Sequence, residues 1–120
     1  MLACLVDGEI SDRISAADRG LNFGDGLFEN IAVIHGQPRF WQRHIDRLNA
    51  GCEQLGITAT PQALLLREVK TVSAGQSKCV VKIIITRGVS GRGFVADSSA
   101  QLSRIVSSWS WPQDPDMLSQ

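Results

Sequence analysis

Residues 27–55 read LFENIAVIHGQPRFWQRHIDRLNAGCEQL, and the hydrophobic period changes once inside them. From 27 to 35 the period is two. Leu27, Glu29, Ile31, Val33 and His35 point one way, and Phe28, Asn30, Ala32 and Ile34 the other, as side chains do along a strand. Gly36-Gln37 turns the chain into a short strand ending near Phe40. From Trp41 the period is helical: Trp41, Ile45, Leu48, Cys52 and Leu55 share one face, the three-or-four spacing of an amphipathic helix. Gly56 follows the last of them and suits a C-cap.

Outward from this stretch the same reading extends to both ends. Residues 2–6 form a short strand, Asp7-Gly8 is a hairpin turn and Glu9-Ile10 begins the return. Residues 18–26 form a loop carrying Gly20, Gly24 and Gly26, where backbone can approach a ligand closely. Thr60-Pro61 starts a second helix, with Thr60 as N-cap and Pro61 at the first helical position. Its apolar face is Leu65, Leu66, Val69 and Val72, and it stops by Gly75. The β-branched run from Cys79 to Thr86 is a central strand. A second glycine loop spans 87–93, a last strand runs from Leu102 to Trp111, and two prolines and two acids make 112 onward linker-like. Helices grouped between strands, rather than alternating with them, predict an α+β fold: two helices on one face of a mainly antiparallel sheet. The domain is expected to occupy residues 1–111, with residues 112–120 the start of a linker.

Composition narrows the function. Twelve Lys+Arg balance twelve Asp+Glu in 120 residues, which argues against a nucleic-acid or anionic-membrane binder. Cys4, Cys52 and Cys79 lie at no metal-like spacing and read as free thiols in a reducing compartment. The N-terminus lacks a basic region, and no apolar run approaches spanning length. A cytoplasmic protein is the expectation.

Three places offer chemistry. With Trp41 at zero and about 100° per residue, His44, Arg47 and Gly51 share one flank of the first helix. Arg47 there can grip an anion with His44 beside it; a surface Arg and a half-buried His on a helix edge would give the same pattern. Arg92, between Gly91 and Gly93 in the loop after the strongest strand, can reach a substrate carboxylate, or be a solvated loop residue. Lys82 is a Schiff-base candidate by type, but strand alternation sends it to the solvent side. Asp25 and Glu29 are close enough in sequence to pair as acids, although no spacing demands it. Arg92-Gly93-Phe94-Val95 begins like an RNA-binding motif and lacks its second aromatic.

Three stretches, in order, resemble one family. Residues Asp18 to Glu29 resemble the N-terminal signature of fold-type IV pyridoxal-phosphate (PLP) enzymes, and His44-Ile45-Asp46-Arg47-Leu48 resembles that family's phosphate-binding helix. Ile84-Ile85-Thr86-Arg87-Gly88 with Gly91-Arg92-Gly93-Phe94 resembles the loop of its aminodeoxychorismate lyases. The resemblance implies PLP as cofactor, with its phosphate on Arg47, and a small-molecule substrate met by Arg92, Phe28 and Phe94. Phe94 stands where such lyases often carry Tyr. It implies a homodimer and the formation of 4-aminobenzoate and pyruvate, a step of folate synthesis. Relatives transaminate branched-chain or D-amino acids, and a non-catalytic dimerising domain is a further alternative. It also implies that the Schiff-base lysine belongs to a C-terminal domain beyond Gln120. Lys70, Lys78 and Lys82 do not match its position, so the 120 residues alone are expected to be inactive.

Overall fold

The computed structural model describes residues 1–89 and 102–112. The chain runs β1 (Ala3–Val6), β2 (Glu9–Ile10), α1 (Arg19–Phe23), β3 (Gly26–Ile34), β4 (Gln37–Pro38), α2 (Trp41–Leu55), α3 (Gln62–Ser73), β5 (Lys78–Thr86) and β6 (Ser103–Ser110). Its strands form a six-stranded sheet in the order β2-β1-β6-β5-β3-β4, and every neighbouring pair is antiparallel. The α+β expectation therefore holds. Asp7 and Gly8 both take positive φ, 53° and 85°, the mirror-image turn whose twist suits a two-residue hairpin.

Strand alternation divides the sheet into two unlike faces. Leu27, Glu29, Ile31 and Val33 of β3 line up with Ile85, Ile83, Val81 and Cys79 of β5. Val106 of β6 and Leu5 of β1 continue this layer. Helix α2 covers it with Ile45, Leu48 and Cys52, and α3 with Leu65, Val69 and Val72; all are buried, and they form one core with the strand residues. The other face carries Phe28, Asn30, Lys82, Ile84, Ile105 and Trp109. No helix α2 or α3 side chain of the core lies there, and Phe28 and Trp109 remain 56% and 43% exposed.

Ile83 sits at the centre of the covered layer, paired with Glu29 on one side and Val106 on the other, with no solvent exposure. Trimming one buried methyl leaves a small void that neighbours on two strands and two helices cannot fill together. Ile83→Val is expected to lower stability by about 1 kcal/mol, read as a lower urea midpoint at unchanged slope.

Three local readings shift. Residues 18–26 contain a helix, α1, and not only loop. Asp18 accepts hydrogen bonds from the N–H of Gly20 and Leu21, and Gly24 closes the helix at φ 64°. Helix α3 begins one residue later than expected, with Pro61 as its cap residue and no side-chain cap from Thr60. His35 lies in a turn at φ 49° instead of ending β3. Among the described residues, no helix is long and apolar enough to cross a membrane. Arg92 and Phe94, expected at a substrate, lie outside the described residues, as does most of the stretch 112–120 expected to begin a linker.

Candidate functional site

Glu29 stands on the covered layer as a carboxylate among apolar neighbours. Its side chain is 10% exposed, and α2 supplies its partners. Because β4 pairs only with Val33 and Ile34, the first half of β3 has no strand on its outer side among the described residues. The flank of α2 reaches Glu29 there. His44 Nδ1 stands 2.7 Å from Glu29 Oε1. Arg47 donates from Nε to both carboxylate oxygens at 3.0 Å and from Nη2 to Oε1 at 2.7 Å. His44 Nδ1 must carry its proton to meet the carboxylate. It cannot then accept from Arg47 Nη2 at 3.4 Å, so that approach is a contact only. The hydrogen bonds Arg47 donates to Glu29, then the charge of that carboxylate, push the pKa of Arg47 up further.

The remaining edge of the guanidinium is what makes this a candidate anion site. Arg has five N–H donors in a planar fork. Nε and Nη2 serve Glu29, while Nη1 has no hydrogen bond among the described residues, and the side chain is 66% exposed. The helix flank inferred from the sequence is present. Its third member, Gly51, faces Leu27 of β3, where an added Cβ would make ordinary contact at 3.4 Å.

A second feature lies on the uncovered face. A hollow of about 400 Å³ is lined by Gly20, Leu21, Phe28, Lys82, Ile84 and Thr86, among others. Phe28, expected at a substrate, is there. Lys82 does leave the core by alternation, yet it does not simply enter solvent. It lines the hollow with Nζ 4.8 Å from the Phe28 ring centre, a cation–π distance. The signal for Lys82 was its sequence: one cation inside a β-branched strand must be placed on the side opposite the core. Arg47 is not among the residues that line this hollow; it meets β3 at the open outer edge of its first half, at Glu29.

The floor of the hollow is held by a network that joins distant parts of the chain. Buried Asp18 accepts from Gly20 N, Leu21 N and the Thr86 hydroxyl, the last at 2.8 Å. Asp25 accepts from Arg19 Nε and Arg87 Nε, both at 2.9 Å. Asp25 and Glu29 are thus not an acid pair: Asp25 lies between Arg19 and Arg87, and Glu29 meets Arg47 and His44. A Cβ on Gly20 would stand 2.4 Å from Thr86 Cγ2, and one on Gly26 would stand 2.5 Å from the Ile85 carbonyl oxygen. Both glycines are set by closeness to β5. Burial pushes the thiols of Cys52 and Cys79 up, which suits inert packing.

The model of the family described as amino-transferase class IV matches residues 26–118. The chain belongs to that family. As a class IV chain it is 28% identical over 107 residues to the aminodeoxychorismate lyase of Vibrio harveyi, covering 89% of this sequence and 40% of that one. It is 30% identical over 84 residues to a putative branched-chain-amino-acid aminotransferase of Methanocaldococcus jannaschii, covering 68% and 29%. The crystal structure of 4-amino-4-deoxychorismate lyase from Pseudomonas aeruginosa superposes with a TM-score of 0.84 at 40% identity, covering 94% of this chain and 42% of that one. The chain therefore spans well under half of the length of these relatives, and the fold-type IV architecture expected from the sequence is shown.

Proposed function

We propose that this chain forms the phosphate-anchoring and substrate-facing wall of a PLP-dependent 4-amino-4-deoxychorismate lyase, which yields 4-aminobenzoate and pyruvate. The observation that carries the cofactor reading is Arg47. Its guanidinium is fixed on one edge by Glu29 and offers Nη1 on the other, a donor set suited to a phosphate oxygen. When bound, PLP supplies an electron sink for the substrate amine. In this reading its anchoring lysine is not among Lys70, Lys78 and Lys82; it belongs to sequence outside these 120 residues, and the enzyme works as a homodimer.

The chain's own residues would bind and orient. Phe28 gives the hollow an apolar wall, against which a ring can pack. The substrate named carries two carboxylates, and Lys82 places one cation at the wall, with Arg92 the other candidate. The 40% identity to a lyase structure favours this substrate. A second reading is an aminotransferase of branched-chain or D-amino acids; the 30% identity to the M. jannaschii protein supports its branched-chain form.

Supplying PLP and 4-amino-4-deoxychorismate to the complete enzyme separates the two. Fluorescent 4-aminobenzoate accumulating without any keto-acid acceptor supports the lyase. Amino transfer to a 2-oxo acid, with no 4-aminobenzoate formed, replaces it with the aminotransferase.

A further inference from the structure

Glu29 occupies a costly position. A carboxylate on the core layer of a strand needs partners, because an isolated buried charge is strongly disfavoured. Its backbone is held by the nine-residue pairing of β3 with β5, opposite Ile83, so the carboxylate is a fixed point. Both groups that meet it, His44 and Arg47, come from one turn of α2. Arg47 is by contrast a long side chain, 66% exposed, that would sample many rotamers if nothing held it. The two-nitrogen contact with Glu29 fixes the guanidinium plane as well as its place, which a single hydrogen bond would not do.

We propose that Glu29 is a positioning residue for phosphate capture: it seats Arg47 by its Nε–Nη2 edge, with His44 bracing the carboxylate, so that the Nη1 edge meets the cofactor's phosphate already oriented. This rests on Arg47 being the phosphate ligand. The carboxylate's negative charge opposes a phosphate nearby. Its net benefit must therefore come from orientation, since preorganisation lowers the ordering cost of binding. That makes the idea separable from simple charge. Glu29→Gln removes the charge but leaves one acceptor for two nitrogens, whereas Glu29→Asp keeps the charge and draws it back by one methylene.

The test compares the affinity of the complete enzyme for PLP with that for pyridoxal, which lacks the phosphate, by tryptophan-fluorescence quenching. Both variants are expected to reduce the preference for PLP over pyridoxal roughly tenfold, with pyridoxal affinity unchanged. In an Arg47→Ala background the Glu29 substitutions are expected to have no further effect on that preference, the non-additivity of two residues acting as one unit. A preference that is unchanged or rises in the Glu29 variants, while Arg47→Ala lowers it, overturns the positioning role and leaves Arg47 as the ligand. Additive losses overturn it equally. If Arg47→Ala itself leaves the preference intact, both the ligand assignment and the positioning role fall. Should Glu29→Gln not fold, as judged by near-ultraviolet circular dichroism, the Asp variant carries the same test.

Discussion

Arg104→Ala is expected to lower the stability of the protein by about 3 kcal/mol. Arg104 projects from β6 toward α3, where it donates from Nε and Nη2 to both oxygens of Glu68 at 2.8–3.2 Å. Glu68 has only 6% of its side chain exposed, and Arg104 23%. The hydrogen bonds Arg104 donates to Glu68 push the pKa of Arg104 up. Removing the arginine leaves a carboxylate between a helix and a sheet, and that uncompensated charge carries most of the loss. The partial exposure of Arg104 places the effect at the lower end of the usual range for buried pairs. Urea unfolding followed by circular dichroism measures it. A paired replacement, Glu68→Leu with Arg104→Met, is expected to recover most of the stability, because apolar groups of similar volume need no partner. A single variant as stable as the parent would show that the pair is solvated and contributes little.

The same contrast explains how much of this molecule is legible in its sequence. The alternation of β3 and the three-or-four spacing of α2 were readable because each is a local consequence of which residues are apolar. The α+β class followed from their grouping. Helix α1 was hidden, since a five-residue segment containing Gly20 and Asn22 has weak helical propensity. What forms it is Asp18, held by Thr86 from 68 positions away. The pairing of β1 with β6 likewise joins the two ends of the described chain and leaves no local trace.

At the candidate site, half of the cluster was readable. Helical spacing put His44 and Arg47 on one flank, and strand alternation put Glu29 on the apolar side of β3. A carboxylate on an apolar face calls for a cation, which is the signal that could have joined them. Joining them required knowing which flank of α2 docks on which half of β3. That docking is a tertiary fact, with no local trace in either segment. The family resemblance implies Arg47 as a phosphate ligand but says nothing of what holds it.

Asp25→Ala is expected to destabilise by about 3 kcal/mol and to disturb the loop beneath the hollow. Asp25 lies at the junction of α1 and β3, and its carboxylate stands between Arg19 and Arg87, whose side chains are 4% and 16% exposed. Without it two guanidinium groups face each other across the gap. The backbone ties beside it, Asp25 N–H to the Arg19 carbonyl and Arg87 N–H to the Asp25 carbonyl, would have to hold α1 against that repulsion. The titration of Asp25 gives an independent check. Burial alone would raise its pKa, but hydrogen bonds from Arg19 and Arg87, with their charges, outweigh burial and lower it. An Asp with a depressed folded pKa contributes stability above the unfolded value of about 3.9, and this is lost as pH falls through the lower folded value. The parent should therefore lose stability on acidification below about pH 4 more steeply than Asp25→Asn, which has no proton to take up. Identical acid profiles would mean that Asp25 titrates alike in both states, and that the two arginines are held by their other contacts instead.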